Sequence, residues 1–591
     1  MGFVQRTVMC GELRAGDTGR QVSLNGWAHR VRDLGGVLFV DLRDRTGLVQ
    51  LTLDPNLFPN RGEIRNETCL SFTGEVRERA EANKNPKMPT GDIEVIVTSF
   101  SVLGPAKPLP FPVSDEETMQ TVNEELRVKH RYLDLRRPSM YRRLAIRAAA
   151  MRRTRAYLEE NGFLEVETPI ITKSTPEGAR DYLVPFRNEP GKWYALPQSP
   201  QQYKQLLMVS GIERYYQIAR CFRDESSRAD RQPEFTQIDL EMSFVRQEDV
   251  LQVAEGMTRC VINGIIEEFG LDKEPLGPFD RITYDEAMHL YGCDKPDLRF
   301  GLQLFDATEL FRETEFAVFR NVIEAGGFIR GVRYPGGATM SRKDVGVLEE
   351  FAKEFGAKGL GTLYVEDPIR GSISKFVTPE MATELRTMSQ AENGDLLLFV
   401  ADEYAVTNNI LYRLRLEIGN RLGLRDPRIL KYIWVLDFPL VDWDADGNRW
   451  TSTHHPFTMP REEDLIYVET DPARIRAEAY DMVGNGMECA GGSIRIHRSN
   501  IQARIFSMLS IDDATQEERF GHILEAFSYG APPHGGIAWG VDRFVMLLTD
   551  TENIREVMAF PKVANGYDPL MDAPSTVDPQ QWAELGLRLS K

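Results

Sequence analysis

A chain of 591 residues with 42 % apolar and 27 % charged side chains has the composition of a globular protein of several domains, at about 150 residues each, and excludes a disordered or fibrous one. No apolar run approaches the roughly 18 residues of a membrane span, the opening MGFVQRTVMCGELRAG lacks a secretory h-region, and Arg6 breaks the myristoylation pattern, so no membrane attachment is expected. A net charge of −18 disfavours nucleic-acid binding as a bulk property, because neutralising phosphates takes Lys and Arg, and leaves such contact to local clusters.

Residues 20–103 read as strands broken by turns, with one possible short helix near 62–68, which is the pattern of a small β-barrel. Alternation sends Leu38, Val40 and Leu42 inward and Phe39, Asp41 and Arg43 outward. The same rule turns Gln50 outward between Val49 and Leu51, and Glu94 outward between Ile93 and Val95. An outward aromatic beside polar groups suits an oligonucleotide-binding barrel, although a lone exposed Phe is also ordinary. Pro105, Pro108, Pro110 and Pro112 then mark a linker.

Between 127 and 155 a run of Lys and Arg faces one acid, Asp134, and reads as a solvated face, an interface or a nucleic-acid contact. From about Met140 the pattern is helical, with Gly162 as its stop. LEVETPIIT predicts a strand with Pro169 inside it, which belongs at a sheet edge or a subunit interface. In EFTQIDLEMSF, Ile238, Leu240, Met242 and Phe244 take the core face, and Phe235, Gln237, Asp239, Glu241 and Ser243 the other. The neighbouring RYYQIARCF suggests a central strand, where unpaired carboxylates would cost several kcal/mol, roughly, and need cations, a metal or a charged substrate. A salt-bridged exposed sheet face is the alternative.

Residues 295–420 carry mixed α and β signals and read as an inserted domain. In YDMVGNGMECAGGSIR a turn around Gly484, Asn485 and Gly486 makes a hairpin that brings Asp481 and Glu488 to one face, a pair suited to magnesium shared with substrate phosphates. Arg543 opens an apolar helix in GVDRF, so Arg223 and Arg543 could both face phosphates, and no P-loop or dinucleotide fingerprint occurs. His454 and His455 lack the spacing of a zinc site. After Pro561 the tail has little patterning. The six cysteines, Cys10, Cys69, Cys221, Cys260, Cys293 and Cys489, form no CxxC pair and point to a reducing cytoplasm.

FRDE followed by RADRQPEFTQIDLE resembles motif 2 of the class II aminoacyl-tRNA synthetases, GIAWGVDR resembles motif 3, and the helix leading into FLEVETP resembles motif 1. Nearly the whole chain resembles the bacterial-type aspartyl-tRNA synthetases. That resemblance implies a multidomain α+β fold. An N-terminal OB-fold anticodon-binding barrel would occupy 1–104 and a hinge 105–139. A class II antiparallel-sheet catalytic domain would span 140–294 and 421–561, with an inserted α/β domain at 295–420 and a C-terminal extension at 562–591.

The implied activity is aspartate–tRNA ligation in two steps, aspartyl-adenylate formation from L-aspartate and ATP, then transfer to the 3′ end of tRNA(Asp). Arg223 would hold the α-phosphate and Arg543 the γ-phosphate, Glu225 and Phe235 the adenine, and Asp481 and Glu488 Mg2+; Arg223, Arg543 and Glu488 would carry the catalysis. Ser199, Gln201, Lys204, Asp239 and Arg495 would bind aspartate, with His454 and His455 lining the pocket and Glu177, in TKSTPEGARD, closing it. The aspartate charges make sense of Asp239 facing the ammonium and of Lys204 and Arg495 facing the side-chain carboxylate, which a planar guanidinium can grip with two hydrogen bonds. Arg32, Leu34, Phe39, Gln50, Arg79, Asn83 and Glu94 would meet the anticodon.

Leu34 looks like the form found in enzymes that charge only aspartate tRNA. Cys489 and Ala490 depart from the Val and Gly common at these positions, which bears on the local backbone. A homodimer through the motif 1 region is implied, with Pro169 at the interface. The alternatives are a non-discriminating enzyme that also charges tRNA(Asn), and a non-catalytic synthetase-like RNA-binding protein.

Overall fold

A computed structural model describes residues 4–54, 56–174, 179–225 and 228–588, and the chain divides into two compact units, Met1–Tyr141 with Asp568–Ala573, and Arg142–Tyr567 with Pro574–Lys591.

In the first unit, β1 (Gln21–Leu34), β2 (Val37–Asp44), β3 (Gly47–Leu53), β4 (Cys69–Glu78) and β5 (Ile93–Gly104) close into a barrel of order β1-β2-β3-β5-β4. The alternation is realised as expected: Leu38, Val40, Leu42, Val49, Leu51, Leu53, Ile93, Val95 and Val97 fill the interior. Phe39, Gln50 and Glu94 remain half-exposed outside. The expected helix near 62–68 is only a single 3-10 turn, Arg61–Glu63.

The cationic run is largely neutralised inside the chain. Asp134 is fully buried and accepts Arg127, Arg131 and Arg137. Arg136 pairs with Glu67 at 2.9 Å. In the second unit Arg143 pairs with Glu556, Arg147 with Asp542, Arg152 and Arg153 with Glu268, and Arg155 with Glu165. One acid inside the stripe, Asp134, and others mostly distant in sequence thus convert an apparent basic stripe into structural ion pairs.

The second unit is built on eight strands. In chain order these are β6 (Leu164–Glu165), β9 (Arg214–Phe222), β10 (Glu234–Ser243), β11 (Asp280–Thr283), β16 (Tyr432–Leu436), β19 (Ala479–Gly484), β20 (Met487–Ile494) and β21 (His534–Gly540). Two ribbons, β7 (Leu183–Pro185) with β8 (Trp193–Ala195) and β17 (Val441–Asp444) with β18 (Arg449–Ser452), lie outside that sheet. Its order is β11-β16-β19-β20-β21-β10-β9-β6, antiparallel except for the outermost pairs β11·β16 and β6·β9. The helices Pro138–Glu160 and Gln247–Phe269 cover one face, where Ile146, Leu158, Val250 and Val261 join Ile238, Leu240, Met242, Trp434 and Trp539 in a continuous core. The opposite face of β10 is thereby left for Gln237, Asp239 and Glu241.

Two strand expectations are corrected. LEVETPIIT is a strand only at Leu164–Glu165, and Pro169 lies in irregular chain beyond it, as its missing N–H dictates. Phe244 is not core: β10 ends at Ser243, and Phe244, with φ 60°, turns outward and is exposed.

Between β11 and β16 lies a separate four-stranded sheet, β12 (Leu304–Asp306), β13 (Phe328–Tyr334), β14 (Gly361–Tyr364) and β15 (Leu396–Asp402), ordered β12-β13-β15-β14. Alternate β15 residues feed two cores, Leu396, Leu398 and Val400 on one face and Leu397 and Phe399 on the other. Both faces are covered, which is why β15 reads as an unbroken apolar run.

Candidate active site

Gln237, Asp239 and Glu241 stand one residue apart on the free face of β10, and their cross-strand partners on β21 are Gly540, Ala538 and Gly536. Small partners leave the space above the sheet to the long polar side chains. At Gly536 the requirement is strict, since a Cβ there would collide with the Glu241 carboxylate and the Leu240 carbonyl. The helix Gln201–Val209 lies over β10, and its helical spacing turns Gln201, Lys204, Gln205 and Met208 inward together.

Lys204 Nζ lies 2.6 Å from Asp239 Oδ1 and 3.2 Å from Glu241 Oε2. Arg495 approaches Glu241 from the other side, with Nε and Nη2 donating to its two oxygens at 2.9 and 3.2 Å. Arg495 Nη1 reaches Ser493 Oγ at 2.6 Å and His455 Nε2 at 2.7 Å. All four charged side chains are 2 % exposed or less, two cations against two anions. Burial alone would raise the Glu241 carboxyl, but Arg495 and Lys204 bring it down to about 2. Burial dominates at Asp239, whose carboxyl is raised despite Lys204. It also pushes His454 down to about 4 and His455 well below its usual range. A guanidinium only donates, so His455 Nε2 is an acceptor and the ring is neutral.

The β19–β20 hairpin turns at Asn485 and Gly486, both with positive φ, as its Asn-Gly sequence requires. Between Met482 and Val483 the register shifts: Val483 pairs with Glu488 but Met482 with Ala490, so Cys489 is an extra, bulged residue. The bulge keeps Glu488 and Asp481, whose partner is Gly491, on the same face. Cys489 is buried, its thiol pushed up to about 12 chiefly by burial. Burial, then Glu488 and Asp294, raises the Asp481 carboxyl well above its usual value.

A single cavity of about 540 Å³ is lined by the expected nucleotide residues Arg223, Glu225, Phe235, Glu488 and Arg543. Ser199, Gln201, Lys204, Asp239, His454, His455, Asp481 and Arg495 line the same space. Glu177 lies outside the described residues. Arg543 is held at 3.1 Å by Asp230 and at 2.9 Å by the Glu488 carbonyl, and Glu225 by Arg231 at 3.2 Å. The Arg223 guanidinium sits over the Phe235 ring, 5.1 Å from its centre. Arg223 Nε, Asp239 Oδ2 and His454 Nε2 are buried atoms of this cavity without a hydrogen-bond partner, the mark of groups that wait for a ligand.

Sequence reasoning did not assign Glu241, Gln237, Asp230, Tyr284, Phe438, Ser493 or Asp294, all of which line the cavity or its floor. Alternation did place Glu241 beside Asp239, so that signal was present. Nothing local marks Asp294, which precedes the inserted sheet.

The barrel holds a second candidate surface. Phe39 pairs with Thr52 and Arg32, and Asp41 with Gln50. Arg32 bonds Asp41 at 2.7 Å and Gln50 at 3.4 Å. Gln50 and Thr52 in turn donate to Glu94. Arg79 is buried, unlike an exposed anticodon reader: its Nε donates to the Ile93 carbonyl at 2.8 Å and its Nη1 to the Asn83 carbonyl. Leu34, at the tip of the β1–β2 hairpin, is 64 % exposed.

Residues 123–564 match the family described as tRNA synthetases class II (D, K and N), and residues 22–103 match the OB-fold nucleic acid binding domain. The chain is 48 % identical over 594 residues to an aspartate–tRNA(Asp/Asn) ligase of Caldanaerobacter subterraneus subsp. tengcongensis, across 100 % of this chain and 99 % of the relative. It is 49 % identical to an aspartate–tRNA ligase of Bacillus licheniformis, across 99 % of each. Among solved structures, asparaginyl-tRNA synthetase from Pyrococcus horikoshii with asparaginyl-adenylate superposes with a TM-score of 0.60 at 18 % identity, over 94 % of this chain and 98 % of that one. Aspartyl tRNA synthetase from Entamoeba histolytica gives 0.57 at 19 % identity, over 93 % and 90 %.

Proposed function

This chain belongs to the class II tRNA synthetases (D, K and N), and from that membership we propose that it is an aspartate–tRNA ligase whose cavity activates L-aspartate with ATP. The observation that carries the choice of amino acid is the pair of buried cations on the cavity floor. Lys204 has three N–H groups and two carboxylate contacts; Arg495 has five and makes four bonds. Each therefore keeps one donor for a side-chain carboxylate. The two-bond grip expected of Arg495 is taken by Glu241, so the substrate carboxylate bridges one N–H from each cation. Asparagine would turn an amide NH2 toward donor-only groups, and lysine would add a third cation. The unpaired Asp239 Oδ2 suits the ammonium group.

The aspartate α-carboxylate is ionised near neutral pH and attacks the ATP α-phosphorus in line, expelling pyrophosphate. No general base is required, and the rate comes from positioning and charge stabilisation by Arg223 and Arg543. The 3′-terminal ribose hydroxyl of tRNA(Asp) then attacks the adenylate carbonyl and AMP leaves. Asp481 and Glu488 would hold Mg2+, which when bound offsets phosphate charge; the crowding of Asp481 by Glu488 and Asp294 supports this, since a cation relieves it. Among the described residues no three His, Cys, Asp or Glu form a metal cage, so phosphates would supply the remaining ligands.

The barrel is the anticodon-binding element in this reading, with 295–420 an insertion. The exposed Leu34 and the aspartate-only form it resembles favour tRNA(Asp) alone; the relatives named for both tRNAs favour the broader reading. Comparable kcat/KM on the two transcripts would establish breadth. Exposed Leu164, Ile170, Ile171 and Leu183 near edge strand β6 support a homodimer, and six scattered cysteines with no CxxC pair support a reducing cytoplasm. The deciding experiment is ATP–pyrophosphate exchange with each amino acid and magnesium. Exchange with aspartate alone is expected; none with any amino acid, in folded protein, would leave the non-catalytic RNA-binding reading.

A further inference from the structure

Behind the cavity wall a line of uncharged buried groups runs back from Gln201. Gln201 Nε2 donates to Gln205 Oε1 at 3.1 Å. Gln205 Nε2 lies 3.0 Å from His534 Nε2, and His534 Nδ1 lies 2.7 Å from the Pro532 carbonyl. Gln205 and His534 are fully buried and do not line the cavity, whereas Gln201 does. Phe527 meets the His534 ring at a centroid distance of 6.0 Å.

The direction of this line follows from its far end. A carbonyl oxygen only accepts, so the proton sits on His534 Nδ1, and in a neutral imidazole Nε2 must then accept. Gln205 has to turn its NH2 to that nitrogen, which leaves its Oε1 toward position 201. Gln201 must meet that oxygen with its own NH2, and its Oε1 is left as the atom for the cavity. Burial lowers the His534 pKa against the pull of Glu241, in keeping with the neutral ring.

We propose that His534 is a positioning residue for the amino-acid substrate: anchored on the Pro532 carbonyl, it sets the amide polarity of Gln205 and Gln201, so that Gln201 presents an oxygen rather than an NH2 to the substrate ammonium group. This rests on the reading of the cavity as an aspartate site. With the polarity reversed, NH2 would confront ammonium, donor against donor. Without the histidine both amides are free to flip, and the acceptor is present only part of the time.

His534→Phe keeps the ring and its packing on Phe527 but removes both nitrogens, and Gln205→Met cuts the same line one link nearer the cavity. Each variant is measured in pyrophosphate exchange for the KM of aspartate and of ATP, and for inhibition by succinate, which carries both carboxylates and no ammonium. Aspartate KM is expected to rise about tenfold, with ATP KM and succinate inhibition unchanged. On a Gln201→Met background, His534→Phe should add no further rise. Equal weakening of aspartate and succinate would mean general damage to the pocket and overturn the proposal, as would an unchanged aspartate KM. If thermal unfolding shows that His534→Phe does not fold, Gln205→Met carries the same expectations and the same reversals. A native protein without aspartate-dependent exchange would instead remove the aspartate reading before any variant is compared.

Discussion

Glu241 holds both buried cations of the cavity floor, and no bound ligand is needed to explain its charge. Glu241→Gln leaves Lys204 and Arg495 with only Asp239, and breaking such a buried pair costs about 3–5 kcal/mol. Denaturant unfolding should register that loss, and aspartate KM should rise. The depressed carboxyl also sets a pH signature. Its folded pKa of about 2 lies below the ordinary 4.5, so its stabilisation is fully present above 4.5 and lost as pH falls toward about 2. That part of the acid loss should be missing from Glu241→Gln. Asp481 has the opposite sign. Its raised carboxyl costs folding stability at pH values above its unfolded pKa, so Asp481→Asn should raise the thermal midpoint of the ligand-free protein while lowering pyrophosphate exchange. Arg223, with its buried unpartnered Nε, is expected to matter only when phosphate is present. Arg223→Ala should cut pyrophosphate exchange by about 10²–10³ and leave unfolding little changed.

The strand is the element that organises both candidate surfaces. On β10 the period of two separates core from chemistry, and in the barrel it separates the apolar interior from Phe39, Gln50 and Glu94. These assignments were legible in the sequence because adjacent Cβ atoms point to opposite sides whatever the tertiary context. Strand ends were not. Phe244 continues the apolar parity but lies past the last ladder residue, and the segment around Pro169 has the composition of a strand but pairs only at its ends, through Leu164–Glu165 and the Thr172–Ala195 bridge. The β19–β20 bulge was equally invisible, because one extra residue at Cys489 is a property of pairing rather than of composition. For the barrel, Phe39→Ala should raise the KM for tRNA(Asp) by the roughly 1–3 kcal/mol of one lost stacking contact. Aspartate-dependent pyrophosphate exchange measured without tRNA should stay at the native rate, because the phenylalanine lies outside the cavity.

Across the whole molecule, the apolar residues left exposed near β6 call for a covering surface, and Ile171→Glu should shift a homodimer toward monomer in sedimentation velocity, with the monomer less active. An unchanged sedimentation coefficient would show that this patch does not hold two copies together. Charge behaves differently at this scale from the way it reads along the chain. Within the cationic run at 127–155 Asp134 answers three arginines and nearby Glu165 a fourth, but the rest of the excess is answered by Glu67, Glu268, Asp542 and Glu556, from places that no local window contains. By itself the sequence determined the alternating faces, the punctuation by proline and glycine, the motif residues and the family to which they belong, since each depends on residue type and short spacing. The tertiary structure alone decided which ions neutralise one another, that Glu241 rather than substrate takes the paired edge of Arg495, and that His534 stands behind Gln205, 329 positions away. Those contacts join segments far apart in the chain, and a hydrogen bond's direction depends on what the partner's other side already holds.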